Sequence, residues 1–421
     1  MSERKDSTQL REPPSKLGAN TQVLTRGYDA RLSLGSARPA VFRSSTYVFH
    51  SPEAAERAFA IASGKSQRAE GEPIDLIYAR INHPNAEIVE DHLVPLEIGA
   101  EAAAVFNSGM AAIMTALLTF AKPGDSIVYT VPVYGGTQHL MHQFLEPFGI
   151  KGIPVVAGRT EELEASIANA PNLRIVFIET PANPTMQMSD IALAAHRAHQ
   201  RDPGVLVMVD NTFLGPAFQH PLSLGADLVL YSATKYLSGF SDMLAGAAIA
   251  RDQSIIGLMK ARRIIFGNIL PPDECWLLDS RLPTLTLRMN RASKNAQRIA
   301  EHLSRHKKVK RTYYPSLFQE PEQIRIRDAQ CDFPGALFSL DLEGGKRAAF
   351  DFLRHLQIGR DAVSLGGVET LACHPKTTTH SPLSDIELDT AGITDGLVRI
   401  SVGIEDWRDL LADFQRALDK L

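Results

Sequence analysis

Lys235 ends an apolar run, Ala226-Asp-Leu-Val-Leu-Tyr-Ser-Ala-Thr-Lys-Tyr-Leu-Ser-Gly239, that stops abruptly at two hydroxyls and a lysine. The run reads as a buried strand delivering Lys235 to a strand end. In open α/β sheets ligands sit outside the carboxyl ends of the strands, and a lysine held there away from water has the lowered pKa that Schiff-base chemistry needs. Ser232 and Thr234 lie two apart, so on an extended backbone both hydroxyls face one side and suit a phosphate. The upstream run Gly204-Val-Leu-Val-Met-Val-Asp-Asn-Thr212 puts Asp210 at a neighbouring strand end. A lysine that condenses with an aldehyde, an acid that keeps a pyridine nitrogen protonated and hydroxyls for a phosphate together meet the needs of pyridoxal 5'-phosphate, PLP.

Elements that position these groups are legible on either side. Ala102-Ala-Ala-Val-Phe106 is a short apolar strand, and Asn107-Ser-Gly-Met110 opens an alanine-rich helix to about Phe120. The first backbone N–H groups of a helix have no intrahelical partner, so Gly109 and Met110 offer theirs to an anion. By itself such a turn is common and binds nothing in most proteins. Strands at Ser126–Val131 and Leu173–Ile178, a helix after Tyr134-Gly-Gly-Thr137 and another across Asp190–His199 continue the alternation. Repeated strand–helix units predict an α/β fold with a mostly parallel sheet flanked by helices. No G-x-G-x-x-G follows a strand and no Walker lysine pattern occurs, which excludes dinucleotide and P-loop readings.

Pro271-Pro272 breaks the chain, and a long helix is expected from Asp273 to about His306. Three parts follow: 1–70 as a polar, loosely attached lead and an arm, 71–288 as the α/β domain, and 289–421 as a smaller C-terminal α+β domain. The last part has strands near 311–314, 336–342 and 397–402 and helices at 346–355 and 405–421.

Charge and composition narrow the partners. The net charge is −4 and the basic residues are spread along the chain, so there is no footprint for nucleic acid or an anionic membrane. No apolar run nears the ~20 residues that span a bilayer, and Met1-Ser-Glu-Arg-Lys-Asp6 is followed by no apolar leader, so a cytoplasmic protein is expected. Cys275, Cys331 and Cys373 lie far apart and show no zinc-ligand spacing. His139 and His142 are three apart with no third ligand, and no metal is expected.

Other residues have a plain reading beside a chemical one. Asp210 is a strand-end cap or a cofactor ligand. Tyr134 is a turn aromatic or a flat ring with a usable phenol. Arg399 breaks the apolar strand Leu397-Val-Arg-Ile-Ser-Val402, and a buried arginine demands an anion, either a structural carboxylate or that of a substrate. Asn183 reads as a turn residue and Arg80 as a surface ion-pair partner.

Ser232-Ala-Thr-Lys-Tyr-Leu-Ser-Gly239, the preceding Val-Asp-Asn-Thr212 and Glu179-Thr-Pro-Ala-Asn-Pro184 resemble the Cys/Met-metabolism PLP enzymes, which include cystathionine γ-synthase, cystathionine γ-lyase, methionine γ-lyase and O-acylhomoserine sulfhydrylase. The likeness runs from about Tyr78 to about Asp406. It implies the fold-type I PLP-dependent transferase architecture, with Lys235 carrying the cofactor and shuttling protons. Asp210 would meet the ring nitrogen, Asn183 would lie near the ring oxygen, and Tyr134 would stack on the ring and protonate the leaving group. Ser232, Thr234, Gly109 and Met110 would hold the phosphate, joined by Tyr78 and Arg80 from a neighbouring subunit. Arg399 and Ser364 would bind the carboxylate of an amino-acid substrate. A dimer with shared sites, assembled into a tetramer, is implied as well.

The implied reaction is γ-elimination from a sulfur amino acid to 2-oxobutanoate, ammonia and a thiol. The alternatives are γ-replacement in transsulfuration, as in a cystathionine γ-synthase or sulfhydrylase, and a PLP-binding protein with little turnover. Members that handle cystathionine tend to have an arginine and an acid where this chain has His139 and Ile77. Leu371-Ala-Cys-His-Pro375 and Gly392–Arg399 are closer to the methionine γ-lyases, although those tend to carry a cysteine at Gly136. Glu369 stands where sulfhydrylases often have lysine, and Phe240 replaces a usual histidine.

Overall fold

Strands that are apolar along their whole length need cover on both faces, and the central sheet supplies it. The computed structural model describes residues 17–69, 72 and 76–421, so the lead expected over residues 1–20 lies mostly outside the described residues. The sheet comprises β1 (Ala102–Phe106), β2 (Ser126–Val131), β3 (Lys151–Val156), β4 (Leu173–Glu179), β5 (Leu206–Asp210), β6 (Leu228–Tyr231) and β7 (Gly246–Ala250). Their order across the sheet is β1-β7-β6-β5-β4-β2-β3. All neighbours are parallel except β7, which runs antiparallel to both β1 and β6.

Alternation along the strands divides the core. On one face Ile175, Phe177, Met208, Leu228 and Leu230 pack with Ala112, Ala116 and Leu117 of the helix Gly109–Phe120. On the opposite face Val176, Ile178, Val207 and Val209 meet Ala194, Ala195 and Ala198 of the helix Ile191–Arg201.

Two strands were not legible from their composition. β3 reads Lys-Gly-Ile-Pro-Val-Val and lies at the sheet edge, where its proline costs no ladder bond within the sheet. β7 reads Gly-Ala-Ala-Ile-Ala, poor in β-formers, yet it is fully buried between β1 and β6. Its small residues admit the helix Gly109–Phe120. A Cβ on Gly246 would lie 2.1 Å from the Ser108 carbonyl oxygen and 3.1 Å from the Ala112 methyl group.

The long helix expected over 273–306 is instead divided. Helices Pro272–Arg281 and Leu285–Leu303 flank a 3-10 turn, Leu282–Thr284. Pro283 is the cause, because it can neither donate to the preceding turn nor accommodate it sterically. The helix Leu285–Leu303 runs across residue 288 and packs with Trp407–Asp419 and on a second sheet. That sheet has β8 (Val309–Tyr313), β9 (Leu337–Leu342), β10 (Arg360–Asp361), β11 (Leu371–Cys373) and β12 (Leu397–Ser401) in the order β10-β11-β12-β9-β8. Between residues 40 and 49 the chain forms no strand; Thr46 makes one isolated bridge to Tyr78. Among the described residues no helix is long and apolar enough to cross a membrane.

Gly246→Ala tests the tight fit of β7. The new methyl group is expected to cost about 1–3 kcal/mol through overpacking, lowering the thermal midpoint in calorimetry. Because Ser108 must move with the helix N-terminus, PLP affinity measured by equilibrium dialysis should fall as well.

Candidate active site

The carboxyl ends of β4, β5 and β6 and the loop after β10 enclose a cavity of about 270 Å³. It is bordered by Lys235, Asp210, Ser232, Thr234, Gly109, Met110, Tyr134, Asn183, Ser364 and Arg399. Ten of the expected residues are therefore brought together by one chain. Tyr78 and Arg80 are not among them. Tyr78 is exposed, and the Arg80 guanidinium sits 5.7 Å from its ring centroid while donating to the Ile264 carbonyl at 2.7 Å.

Lys235 Nζ donates to Ser364 Oγ at 2.7 Å. Burial, helped by the charge on Arg399, lowers its pKa to about 8. The backbone turn carrying Lys235 is backed by Gly366, whose φ is +79° and where a Cβ would lie 2.7 Å from Tyr236 N and 3.0 Å from Lys235 C. Ser364 itself has φ +86°, a conformation rare for a side-chain-bearing residue and one that is typically held in place by a functional site.

Arg399 is buried, yet its partners are neutral. Nη1 donates to Asn183 Oδ1 at 3.0 Å and Nη2 to the Ser364 carbonyl at 2.8 Å. The Asn183 carbonyl in turn faces His380 Nε2 at 3.1 Å, and His380 Nδ1 meets Thr379 Oγ1 at 2.9 Å. Burial and the Arg399 charge push the His380 pKa down to about 4, so its ring is neutral at pH 7 and donates through Nε2. A hydrogen-bonded series thus links Thr379, His380, Asn183, Arg399, Ser364 and Lys235.

Asp210 is paired in register with Glu179 on β4. Its Oδ1 accepts from the Thr212 backbone N–H at 3.0 Å and the Thr212 hydroxyl at 2.5 Å. Thr212 Oγ1 also accepts from Ser232 N at 2.9 Å, tying the ends of β5 and β6 together. Glu179 Oε2 accepts from the Tyr134 backbone N–H at 2.8 Å, while its Oε1 is buried without a protein hydrogen-bond partner among the described residues. Tyr134 is half exposed. A Cβ on Gly136 would lie 2.6 Å from its ring, so the ring fills space that a larger residue at 136 would claim.

The Ser108 hydroxyl caps the helix Gly109–Phe120 by accepting from Ala111 N. This leaves the N–H groups of Gly109 and Met110 without an intrahelical partner. A Cβ on Gly109 would lie 2.8 Å from Ser232 Cβ, which brings the helix N-terminus directly against the Ser232 hydroxyl. The Thr234 hydroxyl is engaged with Ala245 N and O at 2.9 and 3.1 Å and borders the same space.

Sequence reasoning assigned no role to Glu179, Thr212, Thr379 or His380. Asp-x-Thr is a local turn pattern that carried a signal for Thr212. Glu179, ending an apolar strand, carried the same signal as Asp210. His380 had none, since its partner Asn183 is 197 residues away. Beyond the cavity lies an outer cleft of about 880 Å³ that includes Asp242, Glu274, Arg360 and Glu369. Glu369 Oε1 there accepts from the Ser241 hydroxyl, and Phe240 lies beneath the Arg281 guanidinium, 4.8 Å from its ring centroid. His142 pairs with Tyr129 at 2.9 Å, and among the described residues no cluster of His, Cys, Asp and Glu is placed to hold a metal ion.

A family model for Cys/Met metabolism PLP-dependent enzymes matches residues 20–419. The L-methionine gamma-lyase of Pseudomonas deceptionensis is 38% identical over 411 residues, covering 97% of this chain and 99% of that protein. The cystathionine gamma-lyase of Bacillus subtilis is 40% identical over 344 residues, covering 82% and 89%. Among solved structures, cystathionine gamma synthase from Xanthomonas oryzae pv. oryzae in complex with cystathionine matches with TM-score 0.87 and 32% identity, covering 96% of this chain and 99% of that one.

The cavity fits the cofactor of that family. A helix N-terminus with free N–H groups pressed on a serine suits a phosphate, a buried carboxylate on the adjoining strand suits a protonated ring nitrogen, and a lysine of lowered pKa suits an aldehyde. PLP uptake by cofactor-free protein, followed by absorbance, should accelerate as pH rises through about 8, where Lys235 becomes the neutral amine. Arg399→Met removes a cation that disfavours the ammonium form, so the midpoint of that curve should move to higher pH.

Proposed function

The chain belongs to the Cys/Met metabolism PLP-dependent enzyme family, and from that premise we propose that it is a γ-lyase acting on sulfur amino acids of the methionine, homocysteine and cystathionine class. The products are 2-oxobutanoate, ammonia and a thiol. The observation that carries the substrate side is Arg399, a buried cation bonded only to neutral oxygens beside the lysine, which leaves it ready for an α-carboxylate. The likeness to L-methionine gamma-lyases over nearly the whole chain supports elimination.

Bound PLP supplies an electron sink for carbanion charge on the substrate. Lys235 Nζ, a neutral amine near pH 8, takes the proton from Cα and returns protons along the substrate carbons. Ser364 steadies both Lys235 Nζ and, through its carbonyl, Arg399. Arg399 fixes the carboxylate and so orients the Cα–H bond. Tyr134 would cover the ring and give its phenolic proton to the departing sulfur. Asp210 would meet the ring nitrogen and Asn183 the ring oxygen, while Ser232, Thr234, Gly109 N and Met110 N would hold the phosphate.

Replacement is the second reading, favoured by the likeness to cystathionine gamma synthase structures. Elimination and replacement share every step up to departure of the γ-substituent. They then differ only in whether water or a thiol meets what remains. We further assign Tyr78 and Arg80 to the cofactor phosphate of a second subunit in a cytoplasmic homodimer that pairs into a tetramer. Both residues lie outside their own cavity, on the surface.

PLP-reconstituted protein should release 2-oxobutanoate and a thiol from L-methionine, with L-cystathionine and an O-acylhomoserine plus cysteine run in parallel, and Lys235→Ala should abolish turnover. Inertness toward methionine, with acylhomoserine consumed only when thiol is present, would make replacement the reaction. The shared site predicts complementation. Lys235→Ala and Arg80→Ala chains, each impaired alone, should regain about a quarter of wild-type activity when refolded as an equal mixture, because half of the dimers are hybrids with one intact site of two. No recovery would assign Arg80 to its own subunit.

A further inference from the structure

Glu179 and Asp210 end adjacent parallel strands in register, and both carboxyls border one cavity. Two buried carboxylates side by side do not both ionise near neutral pH. Their surroundings decide which keeps the proton. Asp210 Oδ1 accepts two hydrogen bonds from Thr212, one through the backbone and one through the hydroxyl, and both favour its ionised form. Glu179 Oε2 accepts from Tyr134 N, the Asn183 backbone N–H also faces this carboxyl, and Oε1 is buried without a hydrogen bond of good geometry. An acceptor-only oxygen left there would be costly, whereas an O–H in the same place presents a donor to whatever fills the cavity.

We propose that Glu179 is a positioning residue held as the neutral acid, with its proton on Oε1. It fixes the Tyr134 backbone through Oε2 and leaves Asp210 as the sole anion facing the ring nitrogen. Of the other charged and titratable groups around it, Arg399 is engaged by Asn183 and Ser364, His380 is neutral, and Lys235 donates to Ser364. Burial and the neighbouring Asp210 charge both push the Glu179 pKa up, against weaker opposition from the Tyr134 and Asn183 backbone N–H groups and Arg399.

A charged Glu179 would put a second negative charge beside Asp210 and attract the proton that the ring nitrogen must hold. A neutral one keeps the hydrogen-bond geometry at no electrostatic cost. The backbone bond to Tyr134 matters because it sets where that ring enters the cavity. The residue is held at the start of a five-residue helix, Gly135–His139, and its amide is fixed by nothing but Glu179 among the described contacts.

The inference rests on the reading of Asp210 and Tyr134 given above, so its test has an arm independent of that reading. In cofactor-free protein near pH 7, infrared difference spectra between wild type and Glu179→Gln should show the carbonyl band of a protonated carboxylic acid in the wild type only. With PLP bound, Glu179→Gln, which preserves shape and neutrality, should keep kcat within about threefold, whereas Glu179→Ala, which frees the Tyr134 amide, should lose tenfold or more in kcat with KM little changed; these bounds correspond to the usual range for one buried hydrogen bond. Absence of the infrared band, or a Gln variant as impaired as the Ala variant, would overturn the proposal. If the band is present but neither variant affects turnover, the proton assignment stands and the positioning role falls.

Discussion

A buried guanidinium bonded only to neutral oxygens is the constraint on which the site depends. Arg399 holds an amide oxygen and a carbonyl oxygen, and no described carboxylate forms an ion pair with it. A cation taken out of water at this cost is stable only where the fold supplies dipoles and where an anion arrives in the working state. Its field reaches the other groups. Burial is the larger cause, and the Arg399 charge adds to it in lowering Lys235 toward the neutral amine and in keeping His380 uncharged.

The opposite charge balance governs the other wall. There two carboxyls meet at strand ends, and their separation into an acid and a carboxylate follows from the unequal number of donors each receives. The cavity is thus bounded by a cation on β12 and an anion on β5. These two elements belong to different sheets. The β12 strand is reached only after the chain has left the first sheet, crossed through the helix Leu285–Leu303 and built the second.

What the sequence made legible was local. Lys235, Asp210, Ser232 and Gly109 each stand where an apolar strand stops, and that signal needs no tertiary knowledge. Arg399 was legible for the reverse reason, as a charge interrupting such a run. Glu179 had the same strand-end signal, but what distinguishes it, its contact with the Tyr134 amide and its place beside Asp210, exists only in three dimensions. His380 was illegible, since a histidine among threonines has no pattern until Asn183 is placed beside it. The sheet followed the same rule. β4, β5 and β6 were evident from continuous Val, Ile and Leu, whereas β7 was hidden because its small residues answer to the close approach of the helix Gly109–Phe120.

Close approach of backbones explains why the site around Lys235 is narrow while the outer cleft is broad. At Gly109 the helix N-terminus presses on Ser232, and at Gly366 the loop bearing Ser364 presses on the lysine turn itself. Neither contact leaves room for a methyl group, so the helix N-terminus and the lysine turn are fixed by close approach to their neighbours. The outer cleft shares Lys235, Thr234 and Ser364 with the cavity and adds Asp242, held by Arg281, and Glu369, which accepts from Ser241. A methyl group at Gly109 or Gly366 would therefore displace the helix N-terminus or the lysine turn, so the cavity is the part of the site with least freedom to move.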